Sequence, residues 1–146
     1  MVIKYSGYFY LHEKKRLERV GGIFLKYFKI KKDVSFNLAS LGKDKISQEN
    51  IKAFNKNEIT DVVTLPIYSN FKELSSEKNT DGFVGDILIH RPEIRKNALT
   101  YSKTIVEELE LVVVHGMLHL FGFSHTNEKL LNTHQNKIMK KVWNDA

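Results

Sequence analysis

Apolar residues recur along this chain at two periods, and the switching between them predicts the order of its elements. Leu11, Leu17, Val20, Phe24, Leu25 and Phe28 fall at helical spacing and predict a helix over 10–30, with a kink at Gly21-Gly22. A short strand over 1–5 precedes it. Val34, Phe36 and Leu38 alternate with polar residues and predict a strand over 33–41. Ser47 is the expected N-cap of a short helix carrying Ile51, Ala53 and Phe54. Val62-Val63-Thr64-Leu65 is β-branched and mostly apolar, which predicts a strand over 61–66 whose Pro66 ends its pairing or places it at a sheet edge. Residues 67–81 are polar without a period and read as a mobile connection, and Ser75 to Thr80 has no pattern of any kind. A third strand is predicted over 83–90, followed by a helix that Pro92 opens and that runs to about Tyr101.

The last third is helical. Thr104 and Glu107 form a capping box, in which each side chain satisfies the other residue's backbone amide. From there Ile105, Leu109, Val112, Val113 and Gly116 recur at helical spacing and are expected to face the sheet. Asn127 begins a final helix with Leu130, Leu131, His134, Ile138, Met139 and Val142 on one side. The length of 146 residues fits one domain over 1–146, burying about two-thirds of its unfolded surface.

Three of the six histidines cluster where this patterning places the end of the first of these helices, at the spacing H-x3-H-x5-H. His115 and His119, four apart, point from one helix face and can offer ring nitrogens to a single ion. Gly122 is the residue type that ends a helix in the left-handed conformation and reverses the chain, which swings His125 back toward the other two. Three imidazoles without a fourth protein ligand are the donor set of a catalytic zinc site, whose remaining position is left to water or substrate. The chain contains no cysteine, so thiolate ligation is excluded. The same imidazoles accept nickel, copper or cobalt. His134 reads as a packing residue, and His12 and His90 carry no functional expectation.

The spacing also fits the H-E-x-x-H-x-x-G-x-x-H signature of metzincin peptidases, with Gly122 in the glycine slot. Those enzymes use the glutamate after the first histidine as general base, and here that residue is Gly116, which disfavours a metallopeptidase.

The run His115-Gly116-Met117-Leu118-His119-Leu120-Phe121-Gly122-Phe123-Ser124-His125 resembles the hallmark H-G-x-L-H-L-x-G-Y-D-H of the YbeY endoribonuclease family, departing at Phe123 and Ser124. Thr60-Asp61-Val62-Val63-Thr64-Leu65-Pro66 is similar to its T-D-V-L-S-F-P strand, and Gly85-Asp86-Ile87-Leu88-Ile89 to its G-D-I-x-I strand. The resemblance implies a zincin-like α+β fold, a single domain with a small mixed sheet packed with helices. It further implies one Zn2+ per chain on His115, His119 and His125, and a single-strand-specific endoribonuclease acting in 16S ribosomal RNA maturation and ribosome quality control. Ribosomal RNA and the small ribosomal subunit are the implied partners. The family's arginine just before T-D-V-L-S-F-P has no counterpart in Asn55 to Thr60, where Lys56 supplies a point charge without the guanidinium fork. Ser124, in the position of the family's Asp, is a candidate to orient His125. Asp61 and Asp86 match family positions and are expected to satisfy turn amides rather than to do chemistry.

The formal charge of +6 favours a polyanionic partner, with basic clusters at Lys14 to Arg19, Lys26 to Lys32 and Lys137 to Lys141. Solvated helix faces account for such clusters equally well. The opening residues show neither a signal-peptide pattern nor a membrane span, so a cytoplasmic protein is expected. A non-enzymatic ribosome assembly factor with a stabilising zinc is the alternative of a different class.

Overall fold

The computed structural model describes residues 1–74 and 81–144. In chain order the elements are β1 (Val2–Ser6), α1 (Leu11–Tyr27), β2 (Ser35–Ser40), α2 (Lys43–Phe54), β3 (Val62–Pro66), α3 (Phe71–Leu74), β4 (Phe83–Ile89), α4 (Arg91–Thr100), α5 (Ile105–Leu120), a 3-10 turn (His125–Asn127) and α6 (Glu128–Asn144). The four strands form one mixed sheet in the order β1-β2-β4-β3. β1, β2 and β4 are parallel, while β3 runs antiparallel to β4 with Thr64 opposite Ile87 and Pro66 opposite Gly85. Pro66 thus lies in an edge strand, where its missing N–H leaves no ladder bond unmade.

Side-chain alternation sends the two faces of the sheet into two cores. Phe36, Leu38, Ile87 and Ile89 pack under α1, α5 and α6 in the main core, whereas Val63 and Leu88 meet Ile46 of α2 on the other face. Fully burying side chains of this size contributes about 1.5–3 kcal/mol each before the entropy of ordering is subtracted. The capping box of α5 forms as the sequence predicts, with the Glu107 amide donating to Thr104 Oγ1 at 3.2 Å and the Thr104 amide to Glu107 Oε1 at 2.9 Å.

Several expectations need correction. Helix α1 runs unbroken through Gly21-Gly22, because the side chain of Met1 packs where a Cβ on Gly21 would project, so this glycine serves close packing rather than a kink. Ser47 is not a cap: α2 starts four residues earlier behind Gly42, since burying Ile46 against the sheet requires a turn of helix before it. The segment after β3 is not wholly irregular. Asn70 Oδ1 accepts from the Glu73 amide and Ser69 Oγ donates to Glu73, which starts the single turn of α3 and buries Leu74. Ser75 to Thr80 lies outside the described residues. Ile105 and Leu130 are exposed rather than packed, each sitting in the first turn of its helix before the chain reaches the core.

Candidate metal centre

Among the described residues, α5 is the most buried of the helices. Leu109, Val113, Val114, Met117, Leu118 and Leu120 are fully inaccessible, which fixes the helix against sheet and neighbours and leaves His115 and His119 half-buried on its one open face. At the C-terminal end the Phe123 amide donates to the Leu118 carbonyl and the Gly122 amide to the His119 carbonyl, both at 3.0 Å. These two bonds are a Schellman motif, and it requires a left-handed residue at its centre. Gly122 has φ +93°, and a Cβ there would lie 2.4 Å from Asn70 Cα, so both conformation and space demand glycine. Phe121 and Phe123 then pack on Phe28, and Phe121 also on Phe24, which anchors the reversed chain and presents His125.

One ring nitrogen from each of His115, His119 and His125 lies within 4.8 Å of the others. His115 Nε2 and His119 Nε2 are 3.1 Å apart, close to the edge of about 3.3 Å expected for a tetrahedron with zinc–nitrogen bonds of about 2.0–2.1 Å. His115 Nδ1 is 2.8 Å from Gln135 Oε1 on α6. With a carbonyl oxygen as its partner, Nδ1 carries the hydrogen, and Nε2 turns its lone pair to the common point. Burial, with His115 and His125 adding repulsion, pulls the His119 pKa from 6.5 down to about 4, so this ring is neutral and able to ligate near pH 7. The geometry of the three rings and the neutrality of His119 therefore fit a divalent ion.

The three rings open onto a cleft of about 230 Å³ whose other walls include Phe54, Lys56, Glu58, Thr60, Val62 and Thr64. Phe54, Thr64, His119 and His125 also border a second hollow that reaches Pro66 and Ser69. His115 and Val62 border a third, with Asp61, Glu108 and Gln135. A groove thus follows the outer edge of β3, with the histidines at its middle. Lys56, selected from sequence as a substrate contact, lines this cleft.

Gly116 faces away from it: a Cβ there would sit 2.9 Å from Ile87 Cδ1, so the position that carries a glutamate in metzincins is here a packing contact between α5 and β4. Ser124 does not orient His125. Its hydroxyl bonds Thr126 Oγ1 at 2.6 Å because both side chains flank the same tight turn, and Glu128 approaches His125 instead, at 3.6 Å. Asp86 bonds Asn37 Nδ2 across the sheet, and Asp61 takes weak bonds from the side chains of Thr60 and Asn97, so both carboxylates meet side chains rather than the turn amides expected. His134 packs as expected, its Nδ1 2.8 Å from the Tyr27 hydroxyl and its ring against both Phe28 and Phe123.

Two residues of the site escaped sequence reasoning. Gln135 lies twenty positions beyond His115 and is brought to it only by the packing of α6 on α5. Glu58, in the loop before β3, lines the cleft, and its backbone carbonyl accepts from Asn50 Nδ2 at 3.1 Å; its neighbourhood to Lys56 was the available signal.

Comparison with known proteins meets this geometry independently. The family model for endoribonuclease YbeY matches residues 10–143. The chain belongs to the YbeY endoribonuclease family. A YbeY endoribonuclease of Phytoplasma australiense is 31% identical over 136 residues, covering 90% of this chain and 91% of that protein. One from Thermodesulfovibrio yellowstonii is 33% identical over 97 residues, 64% of this chain but 57% of the relative's length. A solution structure from Thermotoga maritima superposes with a TM-score of 0.64 at 26% identity, covering 98% of this chain and 90% of that one. The YbeY fold expected from the motifs, a small mixed sheet packed with helices in one α+β unit, is therefore the fold observed. Among the described residues, no helix is long and apolar enough to cross a membrane.

Proposed function

We propose that this YbeY-family chain is a zinc-dependent endoribonuclease that cuts single-stranded RNA, with one Zn2+ held by His115, His119 and His125. The observation that carries the reading is the convergence of three imidazole nitrogens, within 4.8 Å of one another, on an open groove in a protein of net charge +6. A bound zinc ion supplies Lewis acidity toward a phosphate oxygen and lowers the pKa of water. The chain's own residues do the rest. Lys56 draws a phosphate into the cleft, Phe54 offers a half-exposed ring on which an unpaired base stacks, and Glu58 is the carboxylate available to take a proton. Gln135 fixes the tautomer of His115. A duplex gives Phe54 no free base face, which favours unpaired substrates.

The cellular role we propose is maturation of 16S ribosomal RNA and ribosome quality control in the cytoplasm, with ribosomal RNA and the small subunit as partners. The endoribonuclease names of the relatives and the basic surface support it. Peptide hydrolysis is disfavoured because Gly116 is packed against Ile87 and no base can be placed there.

The test is cleavage of structured and unstructured RNA by the zinc-loaded protein, with and without chelator. Chelator-sensitive cutting of the unstructured strand, abolished by His119→Ala, is the expected result. Tight RNA binding without cutting by wild type would contradict it and identify an assembly factor in which zinc staples α5 to the start of α6.

A further inference from the structure

A larger hollow lies away from the histidines, between α1 and α6. It encloses about 490 Å³ and is lined by Arg19, Ile23, Lys26, Tyr27 and Lys141. That volume falls in the range of about 300–1,000 Å³ typical of small-molecule and nucleotide sites. Three cations border it, and among the described residues no carboxylate stands within ion-pair distance of Lys26 or Lys141. Cations without internal counterions attract an anion from outside. The walls are held in place: Arg19 Nη1 donates to the Val142 carbonyl at 2.8 Å, bridging the two helices, and the Tyr27 ring is fixed edge-on to Phe28 and tied to His134 through its hydroxyl. Ile23 adds an apolar floor. An aromatic wall with an apolar floor and a cationic rim is the composition that binds unpaired nucleotides, stacking the base and neutralising the phosphate.

Its place relative to the histidine groove gives the hollow its meaning. The His134 ring contacts both Tyr27, which lines the hollow, and Phe123, which lines the groove beside His119 and His125. One ring therefore links a wall of the hollow to a wall of the groove. We infer that the α1–α6 hollow is a second subsite for single-stranded RNA, taking a nucleotide that flanks those lying against the histidines. The inference rests on the ribonuclease reading and extends it: affinity comes partly from a site that takes no part in the chemistry, and a strand must reach both depressions to gain it.

The test uses the zinc-loaded full chain, a fluorescent single-stranded RNA oligomer and binding measured at several salt concentrations. The double variant K26E/K141E, at two exposed positions, is expected to keep its zinc content and thermal melting while its RNA affinity falls at least ~10-fold and its salt slope drops by about 1–2. Tyr27→Phe, which keeps the ring and loses only the bond to His134, is expected to bind RNA within about twofold of wild type. Unchanged affinity and slope in K26E/K141E, with wild type binding RNA, would overturn the subsite and leave the ribonuclease reading standing. Wild type that binds no RNA would overturn both. Polyglutamate that competes with RNA charge for charge, in a manner lost in the double variant, would make the hollow a surface for acidic proteins and overturn its assignment to RNA.

Discussion

His115 and His119 stand half-buried on a helix whose other faces are sealed in the core, whereas the His125 side chain is 67% exposed on a single 3-10 turn. The first two are carried by a backbone that the packing of Leu109, Val113, Met117 and Leu120 holds fixed. The third is placed by one glycine, two main-chain hydrogen bonds and two anchored phenylalanines, with an exposed carboxylate beside it. Rigidity is thus concentrated in two ligands and adjustability in one. A site built this way binds through a fixed pair and closes through a turn, and perturbing either half should have distinct consequences.

The largest expected effect is at the fixed pair. His119→Ala should lower zinc affinity by more than the about 10–100-fold typical of altering a ligand's supporting partner, and should abolish RNA cleavage, as measured by metal titration and a gel assay. Gly122→Ala strikes the turn. A side chain at φ +93° that also meets Asn70 should cost at least about 2 kcal/mol in denaturant unfolding, and zinc affinity should fall because His125 is displaced. Gln135→Leu leaves all three ligands but frees the His115 ring, and a loss of about 10–100-fold in zinc affinity is expected with little change in stability of the metal-free protein.

Protonation sharpens the contrast further. In the metal-free folded chain, burial and the adjacent imidazoles keep His119 neutral down to about 4, while in the unfolded chain it takes a proton near its ordinary 6.5. Between those values the unfolded state binds more protons, so stability falls as pH drops from about 6.5 to about 4 and levels off below. Melting of the metal-free protein at pH 7 and pH 5 checks the sign, and His119→Gln should flatten the difference. The smallest effect belongs to Glu128→Gln. Its contact with His125 is long and exposed on both sides, so zinc affinity should stay within about twofold of wild type.

The legible parts of this molecule are those whose causes are local. The capping box at Thr104 and Glu107, the four-residue spacing of His115 and His119 and the glycine that turns the chain toward His125 each depend on neighbours in sequence, and each formed as read. What escaped depends on contacts between distant segments. Gln135 reaches His115 because α6 packs on α5, and no spacing in the chain announces it. Ser47 has the chemistry of a cap, yet α2 begins at Lys43 because Ile46 must be buried beneath the sheet. Gly116 shows both kinds of cause: its mismatch with the peptidase signature was visible at once, while the reason, the approach of Ile87, belongs to the tertiary structure.

The most direct test is X-ray absorption spectroscopy of the purified chain loaded with one equivalent of zinc. Three imidazole nitrogens at about 2.0–2.1 Å, with a single light-atom scatterer from solvent completing the shell, is the predicted result, and His125→Ala should reduce the imidazole count to two. A wild-type spectrum with only two imidazoles, or with a side-chain carboxylate filling the fourth position, would contradict the open three-histidine centre on which the proposed chemistry depends.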